Sequence, residues 1–461
     1  MTRHKSGHRR LKRRRISLEP GTVEILAQAK RFLARKRALG YVVGGFVRDL
    51  LLGERAKDLD LVVSGVEPIE VASHLHQSLA LSRPVVFPRF RTALTVGRGV
   101  QIEICGLRES LEADAAVRDF TMNCIYAEIG SLVDQDGRSR MLDPTGRGLR
   151  DLSRAVMSTP ADPCRTFWLD PLRILRAFRL GAVRGFRPDG DLRGSIPRLV
   201  YLLSGIAAER VRNEIAMILL SRRVISTFRS MQTLGVCEIV LPELSRTSGF
   251  DQRTPYHAYD LFTHTLKTTA NTPARIELRL AALLHDLGKP ASLSMKEGRA
   301  VYYGHDDRSA QLAERVLRRL KFPGRIRDRV LFLVSNHMIH YSSDWSDKAV
   351  RRFVRKMGPH LDMMLLLAEA DQRAQVRGGR RKNPAGELRE RIDSLCEADA
   401  MHLRPPLDGH EIMSVLGIEE GPMVGEAKNR LLEEASARGK PMTRREAVSV
   451  LKKWSKSRKP R

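Results

Sequence analysis

The sequence predicts an α+β protein whose strands are confined to the first third of the chain and whose remainder is helical. Between about Gly40 and Ala155, short β-branched runs, "YVVGG", "DLDLVV", "TALTVG" and "VQIEIC", alternate with helical stretches and turn residues. Beyond "DPTGRGLRDL" the strands fade, and "LDPLRILRAFRLGAV", "ERVRNEIAMILL" and "LRLAALLHDLG" carry apolar residues three and four apart, the period of an amphipathic helix. At 461 residues, 42% of them hydrophobic, the chain is long enough for several domains with real cores.

The N-terminal "MTRHKSGHRRLKRRRIS" is basic, but no apolar core follows it before Glu19 and Pro20, so residues 1–20 read as a solvated arm and not as an export signal. Lys and Arg number 81 against 53 Asp and Glu, and a net charge of +28 points to a polyanionic partner, or to a merely soluble basic protein. Nowhere is there a long uncharged apolar run, so no membrane span is expected. Cys105, Cys124, Cys164, Cys237 and Cys396 are scattered without paired spacing, which signals neither a disulfide framework nor a thiolate zinc site and fits a reducing cytoplasm. Seams at "STPADPC", "SRTSGFDQRTPYH" and "VRGGRRKNPAGEL" divide the rest into segments at 21–155, 156–250, 251–376 and 377–461.

The stretch "GGFVRDLLLGERAKDLDLVV" concentrates the chemistry. Residues two apart on a strand share a face, so Asp58 and Asp60 present their carboxylates side by side. Like charges so close repel, and Mg²⁺ held by carboxylates and substrate phosphates relieves that conflict. Gly44 and Gly45 end a strand and open the helical "FVRDLLL", where backbone N–H groups can approach a triphosphate and Arg48 lies one turn in. In "VQIEIC", Glu103 alternates with Ile102 and Ile104; it is either a third ligand or an ordinary solvent-facing strand residue.

Together these residues resemble the signature of the class II tRNA nucleotidyltransferase and bacterial poly(A) polymerase superfamily, and further motifs follow in order. "RDFTMN" resembles its ribose-and-phosphate motif, "DPTGRGLRDL" its hinge, "DPLRILRAFR" its base-reading motif and "ERVRNE" its neck helix. The resemblance implies a polymerase-β-like nucleotidyltransferase head followed by an all-helical neck, body and tail. It implies Asp58, Asp60 and Glu103 as catalytic residues, with Mg²⁺ bound to the aspartates. It also implies Arg118, Asp119 and Asn123 beside the triphosphate and ribose. Asp170, Arg173, Arg176 and Arg179 are spaced to lie near one face of a helix, and the family pairs the first two with the edge of C or A in place of a template. The substrates implied are tRNA, CTP and ATP. Three departures stand out: Leu169 where an acidic residue is common, Val117 where an arginine is common, and a short connection "EICGLRESLEADAAVRDF" where enzymes that finish a CCA end carry a longer flexible loop. That shortness leads to the expectation of a product ending at CC, the alternative being a loop displaced into "LSRPVVFPRFRTALTV" and a full CCA end.

His264, His285, Asp286, His305, His337 and Asp371 form the second set of ligand-type groups, with His285 and Asp286 adjacent at the end of an apolar helix. Their order resembles an HD-superfamily domain, which implies a divalent metal of unstated identity and either phosphoester hydrolysis or a bracing role. The HD domain and the tail "LDGHEIMSVLGIEEGPMVGEAKNRLLEE" favour tRNA over poly(A) synthesis, the nearer rival. The other rival is an HD phosphohydrolase or RNA-binding protein with an inactive head, and intact Asp58 and Asp60 argue against it.

Overall fold

The computed structural model describes residues 18–56, 58–134, 141–253, 259–297, 299–375, 383–400, 407–438 and 442–456. The basic arm up to residue 17 and most of the seam near residue 380 lie outside the described residues. The chain divides after Pro242 into two compact units.

The first unit opens with α1 (Pro20–Arg35), which starts at a proline whose missing N–H is one of the helix's unpaired donors anyway, and buries Ile25, Leu26, Ala29 and Leu33. There follow β1 (Leu39–Val43), α2 (Gly45–Leu52), β2 (Asp58–Ser64), α3 (Pro68–Leu79), β3 (Val85–Phe87), β4 (Thr92–Gly97), β5 (Val100–Gly106), α4 (Leu111–Ala116), β6 (Tyr126–Glu128), α5 (Ile129–Val133), β7 (Met141–Leu142) and α6 (Gly148–Arg154). The seven strands form one sheet in the order β3-β4-β5-β2-β1-β6-β7. Within it β2 and β5 run parallel and the other neighbours antiparallel. In β2 the alternation puts Leu59, Leu61 and Val63 into the core and Asp58 and Asp60 on the other face. The anticipated runs became β1, β2, β4 and β5; β3, β6 and β7 are too short to show an alternation in sequence.

The unit continues with β8 (Val156–Met157), α7 (Pro163–Leu169), α8 (Leu172–Arg184), β9 (Arg187–Pro188), α9 (Gly190–Leu199), α10 (Ala208–Leu219), α11 (Val224–Thr233) and α12 (Val236–Val240). Helix α8 buries Ile174, Leu175, Phe178 and Ala182, and Gly185 ends it with φ 75°. The expectation of an all-helical body needs a small correction, because β8 and β9 pair in parallel. Ala155 adopts φ 53°, which turns the chain out of α6 and leaves Val156 extended.

The second unit holds α13 (Pro242–Ser245) from Glu243 onward, then α14 (Leu261–Asn271), α15 (Ile276–Leu284), α16 (Lys289–Ser292), the hairpin strands β10 (Ser294–Lys296) and β11 (Arg299–Val301), α17 (His305–Arg319), α18 (Gly324–Ser335), α19 (Asp347–Met357), α20 (Leu361–Gln375) and α21 (Pro384–Ala400). The last three helices, α22 (Gly409–Leu416), α23 (Pro422–Arg438) and α24 (Arg444–Lys456), enclose a core of their own around Ile412, Leu431 and Leu451. Asp408 and Glu411 form a capping box that starts α22. Among the described residues no helix is long and apolar enough to cross a membrane.

Candidate active site and metal centre

Strand register decides the first site. In the parallel pairing of β2 with β5, Asp60 stands opposite Glu103 and Asp58 opposite Gln101. Directly opposed side chains share a face, so Asp58, Asp60 and Glu103 gather on one side of the sheet. Gly44 precedes α2 with φ 77°, and a Cβ there would collide with the Asp60 carboxylate. Only glycine satisfies both demands, and it lets the turn into α2, which begins at Gly45, pass directly against Asp60. Burial, and next the Glu103 charge, push the Asp60 carboxyl up to about 6; Arg118 opposes the shift and Asp58 adds to it. Among the described residues none of the three carboxylates has an ion-pair partner. That donor set fits a hard divalent cation, which would be held by Asp58, Asp60 and Glu103.

The raised Asp60 has a measurable consequence. A folded-state carboxyl at about 6 against an ordinary 3.8 binds more protons than its unfolded counterpart, so its contribution to stability is full below 3.8 and is lost as pH rises through about 6. In chelator, denaturant titrations are expected to show stability falling over that window relative to Asp60→Asn, which lacks the titration. A parallel pH profile for the two proteins would remove the assignment.

The other nucleotide-site candidates form a buried relay. Asp119 Oδ1 accepts from Phe120 N at 2.8 Å and from Asn123 Nδ2 at 2.9 Å, and its Oδ2 lies 2.7 Å from Arg176 Nη2. Burial would raise the Asp119 carboxyl, but Arg176 and these donors outweigh it and hold it below the ordinary value. Asn123 Oδ1 accepts from Arg48 Nη1 at 2.9 Å, and Arg48 Nε donates to Asp49 Oδ1 at 2.8 Å. Arg48, expected near phosphates, is therefore turned inward and buried. Arg118 Nε donates to Asp114 Oδ2 at 2.8 Å and to Tyr126 Oη at 3.1 Å.

Asp170 requires a correction. It was expected on one helix face with Arg173, Arg176 and Arg179, but α8 begins at Leu172 and Asp170 is extended, with φ −152° and ψ 101°. Pro171 is the cause, since a residue before proline is pushed out of the helical region. Asp170 Oδ1 accepts from Leu172 N at 3.2 Å and its Oδ2 from Arg210 Nη2 at 2.9 Å. Arg173 Nη2 donates to Val117 O at 2.6 Å and its Nη1 to Arg118 O and Thr166 O at 3.3 Å each, while its buried Nε has no hydrogen-bond partner among the described residues. Arg179 Nε donates to Glu214 Oε2 at 2.6 Å. Asp49, Asp114, Tyr126, Arg210 and Glu214 were missed in the sequence, although the four-residue interval from Asp114 to Arg118 is a legible helix-pair signal.

The second unit brings all six of its candidates together from separate elements. His264 lies in α14, His285 caps α15 with Asp286 next to it, His305 opens α17, His337 follows α18 and Asp371 lies in α20. His264 Nε2 and His285 Nε2 stand 3.5 and 3.0 Å from Asp286 Oδ2, and 2.9 and 3.5 Å from Asp371 Oδ1. His305 Nε2 and His337 Nε2 stand 3.4 and 3.5 Å from Asp286 Oδ1. Ligands about 2.0–2.2 Å from a cation lie about 3 Å from one another, so the spacing fits.

The ring orientations fit as well. Nδ1 of His285, His305 and His337 sits 2.9, 2.8 and 2.7 Å from the carbonyl oxygens of Ala282, Tyr302 and Val334. An Nδ1–H donated there leaves Nε2 as the ligand atom. Burial lowers His285, yet Asp286 and Asp371 outweigh it and push the imidazole up to about 10; the two carboxylates are held well below their usual range. Lys289 Nζ, not anticipated in the sequence, adds a charge 2.7 Å from Asp286 Oδ2.

Similarity to known proteins extends over both units. Residues 40–110 match the poly A polymerase head domain, 185–247 the probable RNA and SrmB-binding site of polymerase A, and 260–394 the HD domain. The chain is 33% identical to the CC-adding tRNA nucleotidyltransferase of Thermus thermophilus, covering 90% of this chain and 93% of that one. It is equally 33% identical to the A-adding tRNA nucleotidyltransferase of Deinococcus radiodurans, over 90% and 95%. The fold is that of the Bacillus stearothermophilus CCA-adding enzyme in complex with CTP, with a TM-score of 0.62 at 22% identity over 96% of this chain and 99% of that one.

Proposed function

The chain belongs to the class II tRNA nucleotidyltransferase family, and from that premise we propose that it adds two C residues from CTP to the 3′ end of tRNA without a nucleic-acid template. The register that sets Asp60 opposite Glu103, with Asp58 on the same face and Gly44 against Asp60, carries the reading. Divalent cations held there would ease deprotonation of the RNA 3′ hydroxyl and neutralise charge on the leaving pyrophosphate. The chain's own part is to place the carboxylates, to offer the α2 N-terminus to the phosphates, and to hold Asp170 and Arg173 at the start of α8 for the base.

The CC product rests on the connection after Glu103. Strand β5 ends at Gly106 and α4 already begins at Leu111, capped by Ser110 Oγ, which accepts from Ala113 N at 3.2 Å. In Leu81–Val96, the alternative place for a displaced loop, β3, the turn after it and most of β4 occupy the chain. The short connection supports a fixed protein template that is not re-aimed from C to A. With purified protein, tRNA lacking its 3′ CCA, CTP and ATP, the expected product ends at CC. Efficient addition of a terminal A to tRNA already ending in CC would refute the product assignment, and no addition at all would refute the reading itself.

For the second unit we propose metal-dependent phosphoester hydrolysis, supported by the shared orientation of the His285, His305 and His337 rings. A reducing cytoplasm suits the free thiols at Cys105, Cys124, Cys164 and Cys237.

A further inference from the structure

The face of the sheet that carries the carboxylates does not end at Glu103. Glu103 is paired with Leu94 of β4, and Leu94 with Val85 of β3, so the row begun by Asp60 runs on to the sheet edge. The next row along the strands ends at Phe87, through Cys105 and Thr92. On the opposite face Ala93, Thr95, Ile102 and Ile104 are buried, with α3 packed on β4 and β5. On the carboxylate face Val85 is 53%, Phe87 43% and Val96 47% exposed around the buried Thr92, and at the edge Val86 of the other face is exposed as well. An uncovered apolar surface with an aromatic ring at its edge thus continues the active-site face, and β3 lies three strand spacings, about 14 Å, from β2.

The charge around it selects the occupant. From Leu81 to Arg98 the chain carries Arg83, Arg89, Arg91 and Arg98 and no acidic residue; Arg91 pairs with Glu67 and Arg98 with Glu24 on the exposed surface, so the local charge is positive but partly compensated. A second copy of a +28 chain would be repelled, whereas a single-stranded polyanion with flat bases is attracted by the arginines and stacks on the ring. We propose that the β3–β4 hairpin is the platform for the single-stranded 3′ end of the acceptor RNA, with Phe87 stacking a base upstream of the reacting hydroxyl. This rests on the tRNA reading above.

The test uses the full chain, with Phe87→Ala and Phe87→Tyr, and as the probe tRNA that already carries the first added C, so that an unpaired base lies upstream of the reacting hydroxyl. Both equilibrium binding of that tRNA and the KM for it are expected to worsen about tenfold in Phe87→Ala and to be retained in Phe87→Tyr. The KM for CTP and kcat at saturating tRNA stay at the wild-type level in both. Unchanged tRNA affinity in Phe87→Ala overturns the proposal. So does a concentration-dependent dimer in light scattering that Phe87→Ala dissolves while tRNA affinity holds, which would make a second copy the occupant. If the wild-type chain adds no nucleotide but Phe87→Ala still weakens tRNA binding, the platform stands and the transfer reading falls.

Discussion

Asp60→Ala is expected to lower nucleotide addition by about a thousandfold or more, because a lost ligand removes several kcal/mol of transition-state charge stabilisation and each 1.36 kcal/mol is tenfold. Binding of tRNA should be nearly unchanged, since Asp60 faces Glu103 and the Gly44 turn and has no assigned contact with RNA. Asp58→Ala should behave alike. Single-turnover incorporation from CTP, set beside equilibrium tRNA binding, separates the two effects. Wild-type transfer in either variant would end the assignment of this face as the catalytic centre.

Asp286→Ala is expected to reduce metal-dependent hydrolysis of a chromogenic phosphoester to background and to strip the second unit of bound metal, while nucleotide addition survives. Among the described residues Asp286 alone lies within 3.5 Å of four histidines and of Lys289, and it is buried. Its removal leaves buried positive groups without their partner, which destabilises by about 3–5 kcal/mol, so the unit's stability should also fall. His285→Ala gives a second variant with the same expected loss of hydrolysis. Hydrolysis that persists in both would move the activity elsewhere, and loss of nucleotide addition as well would make Asp286 a structural residue for the whole chain.

Much of the fold was legible because its signals are local. The long strands showed themselves through alternation in "DLDLVV" and "VQIEIC", and α8 through its apolar period. The errors came where a single residue or a short segment overrode the pattern. Pro171 put Asp170 outside the helix that its spacing to Arg173 suggested. Strands of two or three residues such as β6 and β7 leave no period to read. The partners of the buried Arg48 are Asp49, its neighbour in the chain, and Asn123, 75 positions away, and only the first could be read locally.

The sequence by itself determined that Asp58 and Asp60 share a face, that a glycine pair opens a helix before them, and that six ligand-type groups lie along the second half. These follow from backbone geometry over a few residues. Only the tertiary structure decided that Glu103 stands opposite Asp60, that the same face runs on to an exposed Phe87, and that His264 and Asp371, 107 positions apart, meet at 2.9 Å. Register and convergence depend on which distant apolar faces bury one another. That is settled by the burial of surfaces such as Leu59, Ile102 and Ile104 across the whole unit, and no local period encodes it.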